Sequence, residues 1–111
     1  MKNVWLICGA SITEDGNKTT GRYPFNSKYN NIIAICDSME LAAEIANEHM
    51  ARCIKEAKDF YNDEGVNIIM EEATTEELKN GIEWMSIVDP IEPHDKTCYY
   101  IKIKEQMVLE R

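Results

Sequence analysis

The sequence lacks an apolar stretch long enough to cross a membrane. A membrane-spanning helix needs about 18 or more consecutive apolar residues, whereas the first apolar run, in MKNVWLICGASITEDG, has only about five. A signal peptide likewise needs a longer apolar run and a small-residue cleavage site. We therefore expect a cytoplasmic protein that is neither secreted nor bound to a membrane.

Cysteines at the spacing of metal or redox sites are also missing. The four cysteines lie at positions 8, 36, 53 and 98, so no Cys-x-x-Cys pair occurs. This argues against a zinc ribbon or a thioredoxin-like site. Because the cytosol keeps thiols reduced, we expect four free cysteines that pack as small apolar side chains.

The motifs of common catalytic sites are absent as well. The segments CGAS and DGNKTTG lack the glycine and lysine spacing of a phosphate-binding loop. Paired carboxylates such as Glu71 and Glu72 stand in polar surroundings, not in an apolar pocket that would raise the pKa of one carboxyl above the other. The sequence therefore predicts no catalytic residue, no cofactor and no metal, although a site assembled from distant residues leaves no local motif.

Positive charge is scarce between residues 37 and 83. This segment holds 13 Asp and Glu against four Lys and Arg, within a chain of net charge −8. Such a field repels nucleic acid and favours basic partners, so we do not expect direct nucleic-acid binding. The acids either face water and keep the protein soluble, or they compete with nucleic acid for a basic groove on a protein partner. This acidic surface comprises Glu40, Glu44, Glu48, Asp59, Glu71, Glu72, Glu76 and Glu77.

The apolar pattern of the first half predicts two strands and a long helix. NVWLICGASI is a near-continuous apolar run, typical of a strand buried on both faces, and IIAIC predicts a second strand. Asp37 or Ser38 then caps an amphipathic helix that reaches about residue 62. The apolar arc of this helix contains Met39, Ala42, Ala46, His49, Met50, Cys53, Ala57 and Phe60.

The second half completes an α+β fold. VNIIMEE predicts a strand, TTEELKNG a short helix with a Thr cap and a Gly stop, and IEWMSIV, residues 82–88, can add another strand. CYYIKIKEQMVLE alternates, which is typical of an antiparallel strand with one solvated face. We expect a single domain over residues 1–111, a mostly antiparallel sheet with the long helix packed across it and a second short helix. On the closing strand the apolar face contains Tyr99, Ile101, Ile103, Met107 and Leu109.

The closing strand also bears on self-association. If this strand lies at the sheet edge, its unpaired backbone groups favour pairing across a two-fold axis. Lys102 and Lys104 could instead be charges that protect the edge. We expect a homodimer on this ground, slightly in preference to a monomer.

Cys36 is the first candidate nucleophile, because it lies where a strand ends and a helix begins. The amino terminus of a helix lowers a thiol pKa, whereas the neighbouring Asp37 and Glu40 raise it. Cys36 also falls in an apolar row with Ile32 and Ala34. We therefore interpret Cys36 as a core residue that does not react in the folded state.

His49 and Cys53 form the second candidate pair. Their spacing of four places them one turn apart on a helix, as two metal ligands would be. No spacing in the rest of the chain indicates a third ligand. We therefore interpret His49 as a buried imidazole that bonds to a backbone carbonyl or a tyrosine hydroxyl.

A polar loop between residues 13 and 31 concentrates bases and aromatic residues. These residue types dominate interface hot spots and stack on nucleic-acid bases, and long loops are often functional. The alternative is an irregular hairpin whose aromatic side chains pack beneath it. The candidate binding residues of this 13–31 loop are Lys18, Arg22, Tyr23, Phe25, Lys28 and Tyr29.

The segments NVWLIC, IIAICDSMELAAEIANEHM and CYYIKIKEQMV together resemble small proteins of bacteriophages and Firmicutes. In those proteins a strand leads through a variable loop to a strand, an Asp-Ser pair and a helix, and a closing strand follows. The chain departs from this pattern by an insertion at residues 63–90. The resemblance implies a phage or prophage setting, in which small acidic proteins often inhibit host defence systems.

Three classes of function stay open from these observations. The favoured hypothesis is a non-enzymatic binding or inhibitor protein that acts on a protein partner through the acidic surface or the 13–31 loop. The first alternative is a module that binds a small ligand such as a nucleotide. The second is a small enzyme that uses Cys36 or His49.

Overall fold

The computed structural model describes residues 2–15, 18–19, 31–88 and 95–109. The described residues form six strands and two helices, which confirms the α+β fold with one long and one short helix. In chain order the elements are β1 Lys2–Asp15, β2 Lys18–Thr19, β3 Asn31–Cys36, α1 Met39–Tyr61, β4 Val66–Ile68, α2 Thr75–Asn80, β5 Ile82–Val88 and β6 Lys96–Val108.

The six strands form one antiparallel sheet in the order β2-β1-β6-β5-β4, with β3 paired to β1 on the same side as β2. The long β1–β6 ladder, from Lys2↔Val108 to Glu14↔Lys96, is its centre. The adjacent residues Ile7 and Cys8 are 0% and 2% exposed. Since neighbours on a strand point to opposite faces, the centre of β1 is buried on both faces, as its continuous apolar run predicts.

Helix α1 begins and ends at recognisable caps. Ser38, one of the two expected caps, accepts a hydrogen bond from the Leu41 backbone N–H at 3.1 Å. Asn62 ends the helix in the left-handed conformation, with φ 52°, and its N–H bonds to the Lys58 carbonyl. The residues that α1 buries against the sheet are Ala42, Ala46, Met50, Ile54 and Ala57.

The expected apolar arc of α1 is wrong at two positions. Phe60 is 79% exposed, whereas Ile54, which the arc omits, is 6% exposed. The core contacts a band of α1 that includes Ile54, and the flank that bears Phe60 lies over an open cavity described below. The helical periodicity of the sequence therefore locates the apolar stripe of α1 but assigns too much of one flank of the helix to the core.

Helix α2 follows the Thr cap and Gly stop of its sequence. Thr74 Oγ1 accepts from the Glu77 backbone N–H at 3.2 Å, and the Glu77 carboxylate accepts from the Thr74 N–H at 2.9 Å, a reciprocal capping box. These hydrogen bonds lower the pKa of the Glu77 carboxyl. Residues 82–88 do form a strand, β5, which pairs with both β4 and β6.

Strand β6 does not lie at the sheet edge along its first half. Lys96 to Ile101 pair with β1 on one side and β5 on the other, so the premise for strand-edge pairing fails there. From Lys102 onward β6 pairs with β1 alone among the described strands. The expected homodimer stays a prediction.

The expected apolar face of β6 is wrong at its carboxy-terminal end. Met107 and Leu109 are 59% and 78% exposed, whereas Ile101 and Ile103 are buried. Met107 pairs with Asn3 at the start of β1, beyond the last β5 pair at Ile82↔Ile101. Alternation therefore continues past the end of the core. No helix among the described residues is long and apolar enough to span a membrane.

Candidate functional site

A cavity of about 910 Å³ lies between the carboxy-terminal half of α1 and the sheet. Its α1 wall includes His49, Cys53, Glu56 and Phe60. The last three lie four, seven and eleven positions after His49. This spacing places them on one flank of the helix. Glu56 and Phe60 are exposed and mark the solvent side of this helix–sheet cavity.

The sheet wall comes from the faces of β1 and β6 that point toward α1. Gly9 pairs with Ile101 and Ser11 pairs with Tyr99, and all four residues line the cavity. A Cβ atom at Gly9 would lie 3.1 Å from Ile33 Cδ1. Glycine thus keeps the floor of the cavity free of a side chain at this point.

Two β-bulges supply the remaining wall. In β3, Ala34 pairs with Ile7 and Ile32 pairs with Cys8, which leaves Ile33 as the extra residue. In β5, Glu83 pairs with Tyr100 and Met85 with Tyr99, so Trp84 is the extra residue. Bulges redirect side chains beside functional sites, and both extra residues, Ile33 and Trp84, line the helix–sheet cavity.

The bulge in β5 has a defined hydrogen-bond partner. The Trp84 carbonyl accepts from the backbone N–H groups of Ile69 and Met70, at 3.0 and 3.2 Å. The Trp84 side chain is 3% exposed, and its indole N–H has no hydrogen-bond partner among the described residues. A buried donor without a hydrogen-bond partner destabilises the folded protein. The position of the Trp84 side chain therefore depends on packing and not on a hydrogen bond of its indole N–H.

Aromatic rings meet around Trp84. The ring of His49 lies edge-on to Trp84, with centroids 6.4 Å apart, and Tyr99 lies tilted at 48° with centroids 6.0 Å apart. Phe60 and Tyr61 make an edge contact at 4.8 Å near the end of α1. Burial raises the pKa of the Tyr99 hydroxyl, and Tyr61 and Cys53 raise it further. The tyrosine is therefore neutral at physiological pH.

The His49–Cys53 pair lies on the cavity wall with its two functional groups close together. Cys53 Sγ is 3.6 Å from His49 Nε2 and 3.9 Å from Nδ1, and Arg52 Nη2 is 3.3 Å from Nδ1. The expected partners of the imidazole, a backbone carbonyl or a tyrosine hydroxyl, are thus replaced by a thiol and a guanidinium in the described contacts.

The protonation states of this pair oppose nucleophilic chemistry. Burial lowers the pKa of the His49 imidazole, and Arg52 lowers it further, while Glu56 acts in the opposite direction. Burial raises the pKa of the Cys53 thiol, and Glu56 adds to this, while Arg52 opposes it. A reactive cysteine needs a lowered pKa, so this pair is a neutral imidazole beside a neutral thiol.

Metal binding has no third ligand in the described part of the chain. No three His, Cys, Asp or Glu side chains come together there in a group that could hold a metal ion. His49 and Cys53 lie close enough together to share a metal ion, but two ligands leave a structural zinc site half complete.

Cys36 lies away from the cavity. It is 3% exposed and belongs to the core beneath α1 with Ala34, and burial, then Asp37, raises the pKa of its thiol. The expected row is wrong for Ile32, which is 53% exposed, because the bulge at Ile33 reverses the alternation. All four cysteines are free, and the inertness of Cys36 stays a prediction.

The 13–31 loop lies mostly outside the described residues. Lys18 belongs to β2, which pairs with the end of β1 as a hairpin arm would, and Asn31 begins β3 on the cavity wall. The binding role of the loop stays a prediction. The loop residues outside the described ranges are Arg22, Tyr23, Phe25, Lys28 and Tyr29.

The acidic surface is solvent-facing in seven of its eight residues, and Glu77 is half-buried at its capping box. Asn47 joins its two parts, because the side chain accepts from the Ala73 N–H at 2.7 Å and donates to the Ala73 carbonyl at 3.1 Å. These bonds fix residues 71–77 beside the middle of α1. The acids of two separate segments thus lie on neighbouring elements.

Sequence reasoning missed the helix–sheet cavity. It assigned His49, Cys53 and Phe60 to the core, and it gave Trp84 and Tyr99 no role beyond their strands. The available signal was the series at positions 49, 53, 56 and 60, where a carboxylate on an otherwise apolar flank indicates that the flank meets water.

No family model, no curated protein and no solved structure matches this chain. The resemblance to small phage and Firmicutes proteins therefore stays a prediction.

Proposed function

We propose that the protein is a binding module for a small, largely apolar ligand held in the helix–sheet cavity. The observation that carries this proposal is the cavity itself, with its volume of about 910 Å³ and its aromatic walls. Small-molecule sites are clefts of about 300–1,000 Å³, lined by apolar and aromatic side chains with a few polar groups. Here the polar groups are Ser11, Asn31, Glu56 and the tyrosine hydroxyls.

Binding is favoured over catalysis by the state of the polar groups. The Cys53 thiol has a raised pKa and the His49 imidazole a lowered one, so neither is prepared as a nucleophile or as a charged acid. The buried thiols fit a reducing compartment, and we place the protein in the cytoplasm on this ground.

The proposal is tested with 4-tert-butylphenol, a neutral aromatic probe. The probe should raise the melting temperature by an amount that grows with the logarithm of its concentration above Kd, because a ligand that binds the folded state alone stabilises it by RT ln(1 + [L]/Kd). Tyr99→Leu, which keeps apolar bulk but removes the ring beside Trp84, should reduce this rise at least by half, whereas Met107→Leu on the exposed end of the same strand should not. An equal rise in both variants would contradict binding in the cavity.

A second candidate function is inhibition of a protein partner through the acidic surface. It is favoured by the Asn47–Ala73 hydrogen bonds, which hold acids of α1 and of residues 71–77 on neighbouring elements. A basic groove that normally binds nucleic acid would be complementary to such a surface.

The test of this second candidate compares two triple variants of equal charge. Glu44→Gln, Glu48→Gln and Glu71→Gln neutralise the acidic surface, and Asp63→Asn, Glu64→Gln and Glu105→Gln neutralise exposed acids elsewhere. Capture of a basic host protein, identified by mass spectrometry, should weaken at least about tenfold in the first variant only. Equal capture by both variants would leave the acidic surface as a solvated face.

A further inference from the structure

The charges at the helix–sheet cavity are unequal in sign. Among the described lining residues Glu56 is the one acidic side chain, and none is a lysine or an arginine. Arg52 is exposed and bonds to His49, but it does not line the cavity. The whole chain carries a net charge of −8, so the overall field favours a positive ligand.

The aromatic walls favour the same sign. The faces of Trp, Tyr and Phe carry negative electrostatic potential and attract cations within about 6 Å of the ring centroid. Tyr61 and Tyr99 are half-buried and Phe60 is exposed, so these rings, unlike the buried Trp84, are accessible from the cavity. Tyr61 belongs to the same wall and lies close enough to Tyr99 to raise its pKa.

The kind of cation follows from the hydrogen-bonding groups. A primary ammonium carries three donors that each need an acceptor. The ring faces of Tyr61 and Tyr99 offer none, whereas the acceptors Ser11, Asn31 and Glu56 are exposed on the solvent side of the cavity. A nitrogen whose hydrogens are replaced by methyl groups needs no acceptor, and it meets aromatic faces with little desolvation cost.

We propose that the helix–sheet cavity selects an organic cation, with its charge on a methylated or fully alkylated nitrogen, over neutral and anionic ligands of the same shape. Tyr61 and Tyr99 contact the alkylated nitrogen, and Glu56 supplies the counter-charge on the solvent side. This inference rests on the proposed function, because it names the class of ligand for the same cavity. It also separates this cavity from a nucleotide site, which would place phosphate charge beside Glu56.

The test uses three phenols of one shape that differ in charge. They are 4-(trimethylammonio)phenol, its neutral isostere 4-tert-butylphenol and the anion 4-hydroxybenzenesulfonate. Binding is followed by the fluorescence of Trp84 in the Trp5→Phe protein, since Trp5 does not line the cavity. The cation should bind about tenfold more tightly than the neutral isostere, and the anion should bind more weakly than both.

A matched pair of charge variants assigns the preference to its source. Glu56→Gln should weaken binding of the cation about threefold or more and leave the neutral phenol unchanged. Glu44→Gln removes one negative charge from an exposed position on the same helix outside the cavity, so it should change neither dissociation constant.

The outcomes separate the two proposals. Equal affinity for the cation and the neutral isostere, or tightest binding of the anion, would overturn the selectivity and leave the binding module intact. Binding of none of the three phenols would overturn both. A cation preference that is the same in Glu56→Gln as in the parent would contradict the assignment of Glu56 as the counter-charge.

Discussion

At the scale of single residues, protonation decides what His49 can do. Its ring contacts Trp84, the Cys53 thiol and the Arg52 guanidinium, and burial is the main cause of its lowered pKa. An imidazolium there would lose hydration and meet a second cation at 3.3 Å. The folded protein therefore holds His49 neutral, which suits a wall of the cavity better than an acid catalyst.

The neutral state of His49 in the folded protein predicts that the stability of the protein depends on pH. The folded pKa lies below the ordinary 6.5, so below pH 6.5 the unfolded chain binds more protons than the folded protein. The stabilisation is fully present above pH 6.5 and is lost as the pH falls through the folded pKa. Acidification should therefore lower the melting temperature of the wild type more than that of His49→Gln.

The measurement is the melting temperature of both proteins between pH 7.5 and pH 5. The two proteins share every other ionisable group, so the contribution of those groups cancels in the difference. A difference between wild type and His49→Gln that stays constant over this range would show that His49 has an ordinary pKa.

The residue scale also shows where helical periodicity succeeds and where it fails. The wheel correctly assigns Met50 and Ala46 to the core, because burial there follows the 3.6-residue period. It misassigns Phe60, because an apolar residue facing a cavity and one facing a core have the same place on the wheel. The sequence of α1 alone does not indicate whether other side chains fill the space that this flank of the helix faces.

At the scale of elements, caps and turns are well predicted because they depend on neighbours in sequence. Ser38, Thr74 and Gly81 bound the helices where their residue types indicate. The bulges at Ile33 and Trp84 were not predicted, since each depends on the register with a strand distant in sequence. Both bulge residues line the cavity, so a sequence analysis that does not predict the bulges does not predict the cavity either.

The turn after α1 carries the sharpest prediction at this scale. Gly65 has φ 73°, and a Cβ atom there would lie 2.2 Å from the Val88 carbonyl oxygen. Gly65→Ala should lower the free energy of unfolding by about 3 kcal/mol or more, because the backbone of β5 must shift as well as φ. Chemical denaturation measures the loss.

A control for this variant lies three residues earlier. Asn62→Gly, at φ 52° in the same turn, should leave the free energy of unfolding within about 1 kcal/mol of the wild type, since glycine adopts this conformation readily. Equal losses in the two variants would mean that the turn, and not the Gly65–Val88 approach, limits stability.

At the scale of the whole molecule, charge and aromatic side chains are divided between two surfaces. The acidic surface covers the outer side of α1 and the α2 region, whereas the aromatic residues of the described chain, except Trp5, line the cavity at the other flank of α1. The α+β class follows from local patterns, and the cavity follows from contacts among α1, β1, β5 and β6. Local sequence patterns therefore predict the helix and the sheet but do not predict the cavity between them.

The most direct measurement of the central claim is an NMR titration of the two tryptophan indole N–H signals with 4-tert-butylphenol. Trp84 lines the helix–sheet cavity and Trp5 does not, so one molecule contains both the reporter and its control. Binding in the cavity predicts a saturable shift of the Trp84 signal while the Trp5 signal stays in place. A Trp84 signal that does not move, or equal shifts of both signals without saturation, would contradict it.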